Sequence, residues 1–155
     1  MFQNKPLIID FTIALEKAAN YCAYQERCQW DLNNKMREWN IDTEIRDEVI
    51  VELIQQNFLS EERFVLAFTR GKINIKRWGR RKIQHELKSR NISNYLIKKA
   101  INSIDEDIYL TNLQQLISIK RHSMVGSSDF EIKMKLVKYL ISKGYETELI
   151  NENIK

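Results

Sequence analysis

The chain has a single proline and four glycines among its 155 residues. Sandwiches and small barrels need glycine and proline at their many tight turns, so this scarcity disfavours them. Cysteine is almost as rare. Cys22 and Cys28 stand six apart on what reads as helix, a poor spacing for bridging each other, and neither has partners for a metal site. His85 and His122 come without Cys or Asp at ligand spacing, and no Ser or Cys nucleophile lies beside either in a recognisable pattern. Neither G-x-x-x-x-G-K-S/T nor G-x-G-x-x-G occurs, so no phosphate cradle is evident. The N-terminus, M-F-Q-N-K-P-L-I-I-D-F, lacks the parts of a signal peptide, and no apolar run approaches the length of a membrane span. These absences predict a protein with no catalytic residues, no metal and no cofactor, residing in the reducing cytoplasm away from membranes.

What is present points to helices. Hydrophobic residues at 43% and charged residues at 30% suit a folded chain, and Lys, Glu, Leu, Arg and Gln are good helix formers. Apolar residues recur at helical spacing almost throughout. The pattern predicts helices over 12–24, 25–39 and 42–55, a fourth capped by Ser60, and others over 76–89, 93–103, 105–120, 129–142 and 146–153. The segment R-H-S-M-V-G-S-S-D, 121–129, reads as a flexible connector.

These helices repeat. Cys28, Leu32 and Met36 form an i, i+4, i+8 row. The same row returns 51 residues later as Gly79, Ile83 and Leu87, and 53 further on as Ile132, Leu136 and Leu140. The same offsets carry Asn40-Ile41 onto Asn91-Ile92 and Gly144-Tyr145. Asn and Gly tolerate the left-handed conformation that closes a helix, and the apolar residue after each can fold back onto the last turn. Ile45, Leu96 and Leu149 are then expected as the first buried residues of the following helices. The fold class predicted is all-α: three tandem three-helix repeats over 1–57, 58–104 and 105–155, forming an elongated, curved array.

Charge is unevenly shared. From Arg70 to Lys99 there are eleven cations against one anion, Glu86; this net +10 contrasts with +4 for the whole chain and leaves −6 elsewhere. Lone helices balance their charge with acids at i, i+4, and Glu86 alone cannot do so. With Ile75, Gly79, Ile83 and Leu87 facing inward, the stretch reads as a surface for an anionic partner, nucleic acid first. Arg70, Lys72, Lys76, Arg77, Arg80, Arg81, Lys82, Lys88 and Arg90 are the candidate contacts. Gln84 and His85 are the only short polar pair beside them, so contact is expected with the DNA backbone rather than with base edges. Trp78 is expected to pack between repeats, Gly79 to let two helices approach closely, and Trp30 and Trp39 to fill inter-helix contacts. Residues 42–62 carry Asp42, Glu44, Asp47, Glu48, Glu52, Glu61 and Glu62 against Arg46, a negative counterpart to the basic middle.

The segment Q-Q-N-F-L-S-E-E-R-F-V-L-A-F-T-R-G-K, 55–72, resembles the most recognisable block of the RecX family: an apolar pair, two acids, Arg-Phe, then an arginine near the helix end. The stretch K-R-W-G-R-R-K-I-Q-H-E-L-K-S-R-N-I-S, 76–93, is similar to that family's basic second-repeat helix, and a weaker match runs through Ala14-Leu15 and Arg27. Ser60 stands where the family usually has aspartate, and Cys28 and Trp30 where it often reads Arg-Ser. The resemblance implies a non-enzymatic, three-helix-repeat regulator that lodges along the RecA–DNA filament and restrains ATP hydrolysis, strand exchange and repressor cleavage. A monomer is expected. The competing readings are a DNA-binding module that acts without RecA and a repeat adaptor for another acidic protein.

Overall fold

The computed structural model describes residues 9–155. Among them the chain is helical, with no strand. The helices are α1 (Phe11–Tyr24), α2 (Gln29–Glu38), α3 (Thr43–Gln55), α4 (Glu61–Gly71), α5 (Arg80–Ser89), α6 (Asn94–Asn102), α7 (Glu106–His122), α8 (Asp129–Ser142) and α9 (Thr147–Asn153). Short polar side chains start most of them by accepting an orphan backbone N–H. Asp10 accepts from Ile13, Ser60 from Arg63, Ser93 from Leu96, Asp105 from Ile108 and Ser128 from Glu131.

The closing signal recurs as expected. Asn40, Asn91 and Gly144 adopt φ of 58°, 58° and 97°. The next residue then donates its N–H five residues back, Ile41 to Met36 at 3.0 Å, Ile92 to Leu87 at 3.3 Å and Tyr145 to Leu140 at 3.1 Å. Those three residues are buried, so the apolar side chain locks each turn onto the helix it ends. Leu32 and Met36, Ile83 and Leu87, and Leu136 and Leu140 are all fully buried. Ile45, Leu96 and Leu149 are only half-buried; Val49, Ile97 and Ile150 take the inner places instead.

Two predicted helices begin later than their periodicity suggests. The run 25–39 is broken because Gln25 is extended and Arg27 folds back over α1, its Nε donating to the Tyr21 carbonyl at 3.3 Å and its guanidinium lying 3.8 Å from the Tyr21 ring centre. Cys28 then caps α2, its sulfur accepting from the Asp31 N–H at 3.4 Å. The run 76–89 is broken because α4 passes into a π-helical turn, Lys72–Lys76, that ends on Arg77 in the left-handed region at φ 52°. Ile75 accordingly lies 79% exposed rather than inward. Gly79 is extended, and α5 starts at Arg80.

The described residues pack as two compact units that divide inside α4, at 64/65. In the first, Ala14, Ala18 and Cys22 of α1 meet Leu32 and Met36 of α2 and Val49 and Leu53 of α3, with Ile41 and Leu59 closing the cluster. Burial pushes the Cys22 thiol up to about 11 and the Cys28 thiol up to about 12, so both remain protonated packing groups. Trp39 sits edge-on to Tyr21 at 6.0 Å, whereas Trp30 is 41% exposed.

The second unit holds α5 to α9 and most of α4, and its defining contact is backbone on backbone. The N–H of Gly79 donates to the Lys143 carbonyl at 2.7 Å, and that of Arg81 to the Gly144 carbonyl at 2.9 Å. A Cβ on Gly79 would fall 2.2 Å from the Gly144 carbonyl carbon. The close approach expected of Gly79 is therefore present, with the α8–α9 turn as its partner. Asn112 of α7 secures the π turn, its amide donating to the Ile73 carbonyl at 2.8 Å, and Tyr145 donates its hydroxyl to the Arg77 carbonyl at 2.8 Å.

Candidate nucleic-acid interface

The structure sorts the basic stretch into groups turned inward and groups turned out. Arg80 points inward. Its guanidinium pairs with Glu146 at 2.9 Å and with Glu106, and it stacks 3.9 Å from the Tyr109 ring centre. The Tyr109 hydroxyl accepts from the Arg80 backbone N–H at 3.0 Å and donates to Glu146 at 2.6 Å. Burial opposes the Arg80 charge, but the bond to Glu106 and the nearby Tyr109 and Glu146 outweigh it, and its pKa rises. Burial, then the bond to Glu146, likewise raises that of Tyr109. With its side chain only 18% exposed, Arg80 is spent on holding α5 to α7 and the start of α9.

Arg90 is also engaged, pairing with Glu86 at 3.0 Å and lying 5.1 Å from the Phe68 ring centre. Lys72 and Lys82 flank Trp78 at 4.6 Å and 4.5 Å, and Trp78 meets Phe68 edge-on at 6.4 Å. Burial, then the neighbouring cations Lys76 and Arg90, lower the pKa of Lys72. Trp78 thus packs within the second repeat, half-buried between two ammonium groups. Arg77 is half-buried through its left-handed turn, whereas Lys76 and Arg70 are exposed.

Arg81 and Lys88, both exposed, converge on one place. They stand on the α5 side of an open cleft of about 650 Å³ between α5 and α6. Gln84 and His85 join them from α5, and Asn94, Lys98 and Asn102 from α6, over a floor of Ile97 and Ile101. No carboxylate appears among the described residues that line it. Three cations around amides and an imidazole make a cradle for an anion, with Lys and Arg reaching phosphate oxygens and the amides supplying neutral donors.

The sequence pattern put Lys98 in the basic stretch but not among the contacts. Its signal was the row Asn94, Ile97, Lys98, Ile101, Asn102, spaced i, i+3, i+4, i+7, i+8, one face of α6. Among the described residues no group of His, Cys, Asp and Glu could hold a metal ion, and no helix is long and apolar enough to cross a membrane.

Comparison with known proteins agrees with this architecture along the chain. Family models described as the first, second and third three-helix domains of RecX match residues 14–53, 60–101 and 106–154. Regulatory protein RecX of Bacillus cereus (strain B4264) and that of Bacillus thuringiensis (strain Al Hakam) are each 25% identical over 134 residues, covering 86% of this chain and 50% of the relative. The chain thus spans about half the length of these curated relatives. A crystal structure of RecX from Lactobacillus salivarius superposes with a TM-score of 0.79 at 19% identity, covering 93% of this chain and 94% of that one. A second, of a regulatory protein RecX, gives 0.84 at 17% identity over 92% of this chain and 72% of that one. The basic repeat and its cleft are therefore carried by the second of three tandem three-helix domains, and the chain belongs to the RecX family of regulatory proteins.

Proposed function

We propose that this protein is a non-catalytic modulator of the RecA recombinase, binding the RecA–DNA filament through its second repeat (58–104) and touching DNA by its phosphates. The observation that carries the reading is the α5–α6 cleft, where Arg81, Lys88 and Lys98 gather without a neighbouring carboxylate. Family membership supplies the regulatory role, and the charge of the cleft supplies the anionic surface it would grip. Arg70 and Lys76 extend the contact along the exposed edge; Arg80, Arg90, Lys72 and Lys82 support it by holding α5 and the π turn in place. Bound in this way, the repeat would hinder subunit motions that ATP hydrolysis and strand exchange require. The three cations of the cleft, which reach phosphate oxygens whatever the base, favour phosphate contact over base readout.

The test is RecA ATP hydrolysis on single-stranded DNA, titrated with the protein and with an Arg81→Glu, Lys88→Glu, Lys98→Glu variant. Inhibition that the variant loses, while its helicity and melting stay unchanged, is the expected result. Equal inhibition by the variant would remove the cleft from the mechanism. No inhibition by either, with tight salt-dependent binding to bare DNA, would replace filament modulation by direct DNA binding.

A further inference from the structure

A second hollow adjoins the cleft on the far side of α6. Tyr95, Lys98, Lys99, Asn102 and Ser103 line this open depression of about 520 Å³. Lys98 and Asn102 also line the cleft, so these two side chains form a ridge with a hollow on either side. Tyr95 precedes Lys98 and Asn102 by three and seven residues, which places all three along one strip of the helix. It is 74% exposed, which leaves most of its ring open to solvent. Helix α6 has no acidic residue, and no carboxylate appears among the described residues that line either hollow. The next hollow, reached across Ser103, is walled by Ile73, Ile104 and Asp105, so the acid-free surface ends there.

We infer that Tyr95 is a stacking platform for an unpaired base, and that the strand held at the cleft is single-stranded DNA. This deepens the function proposed above and rests on its phosphate grip. A lone exposed tyrosine is ordinary on a protein surface; the neighbours of Tyr95 are what give it a role. A single strand alternates phosphate and base, and the ridge separates a place for each. Arg81, Lys88 and Lys98 stand on the cleft side, and an open aromatic face stands on the other. In a duplex the flat faces of the bases are closed against one another, so only an unpaired base can turn onto the ring. Cations alone favour the duplex, whose phosphates are denser along its axis. The ring shifts the balance toward the single strand. Stacking tolerates any sequence because every base has a π face, which accords with a contact that reads no base edges.

Anisotropy of labelled oligothymidine, of an abasic strand of the same length and of a duplex, each titrated with the full chain at low salt, tests the platform. Tyr95→Ala should bind oligothymidine at least about fivefold more weakly, and Tyr95→Phe should bind it like the wild type. On the abasic strand and the duplex, Tyr95→Ala should match the wild type, because neither offers a free base face. Its slope against log salt should be unchanged, whereas an Arg81→Gln, Lys88→Gln, Lys98→Gln variant should flatten that slope. Equal binding of oligothymidine by Tyr95→Ala and the wild type would overturn the platform while the phosphate grip stands. A loss of the same size on the abasic strand would overturn it too, as would a wild type that fails to bind oligothymidine. Unchanged affinity and slope in the triple variant would instead overturn the phosphate grip, and the path of the strand with it. Helicity measured on each variant separates weakened binding from a failure to fold.

Discussion

Replacing Gly79 by alanine adds one methyl group where there is no room for it. The new Cβ would lie 2.2 Å from the Gly144 carbonyl carbon, 2.3 Å from its oxygen and 2.3 Å from the Tyr145 nitrogen. All three are backbone atoms, so no side chain can swing aside, and the α8–α9 turn must retreat by more than about 1 Å to reach ordinary contact at about 3.5 Å. Retreat stretches the Gly79-to-Lys143 and Arg81-to-Gly144 hydrogen bonds, now 2.7 Å and 2.9 Å, each contributing about 1 kcal/mol. Overpacking adds roughly 1–3 kcal/mol. The expected loss is therefore about 3–5 kcal/mol, a large part of the roughly 5–15 kcal/mol that holds a domain folded. Gly71→Ala is the internal control. Gly71 sits at φ −63° and ψ −43° with open space around its Cα, so alanine there should stabilise by about 0.4–1 kcal/mol. Urea denaturation followed by helical circular dichroism measures both. A cost below about 1 kcal/mol for Gly79→Ala, or no difference in sign between the two variants, would refute the backbone junction between α5 and the α8–α9 turn.

Other consequences are equally concrete. Arg80→Met leaves Glu146 and Glu106 without the cation they share and should cost about 2–3 kcal/mol, whereas Arg81→Met on the exposed rim should change stability by less than about 0.5 kcal/mol; thermal melts of the pair distinguish a structural from a contact arginine. Glu61 is held above the ordinary carboxylate range, chiefly by burial, and its Oε2 is buried without a hydrogen-bond partner. Its raised folded pKa means that protonation favours the native state, so the stability it contributes is greatest below the ordinary value of 4.5 and is lost as pH rises through the folded value. Glu61→Gln should accordingly stabilise the chain at pH 7 by about 1 kcal/mol and make no difference below pH 4.5, as melts across that range would show.

Much of the architecture was legible because it rests on local rules. The Asn40, Asn91 and Gly144 closures, each followed by a buried apolar residue, are set by backbone conformation and one side chain, and they are spaced alike in the sequence. The caps at Asp10, Ser60, Ser93 and Asp105 are equally local. What the sequence pattern concealed depends on distant partners. The π turn over 72–76 and the left-handed Arg77 carry no Gly or Pro signal; they are secured by Asn112 and Tyr145, 39 and 68 residues away. Arg80 looks like any other cation of the run until Glu106 and Glu146 are brought to it from α7 and the turn before α9. Charge counting recognised a basic repeat but could not separate cations that hold it together from those that face outward, because both kinds follow one another within α5. Lys98 escaped for the opposite reason, standing on α6 while the other two cations of the cleft stand on α5.

The central claim is that the α5–α6 cleft grips the nucleoprotein filament, and its most direct test is binding of the labelled protein to RecA-coated and to bare single-stranded DNA over a salt series. The wild type should bind the coated strand more tightly. An Arg81→Gln, Lys88→Gln, Lys98→Gln variant should bind the coated strand more weakly. Its slope against log salt should be shallower by about 2, since each of the three neutralised side chains would release one phosphate of a single strand, worth about 0.7 in slope. Unchanged affinity and slope in that variant would contradict the account.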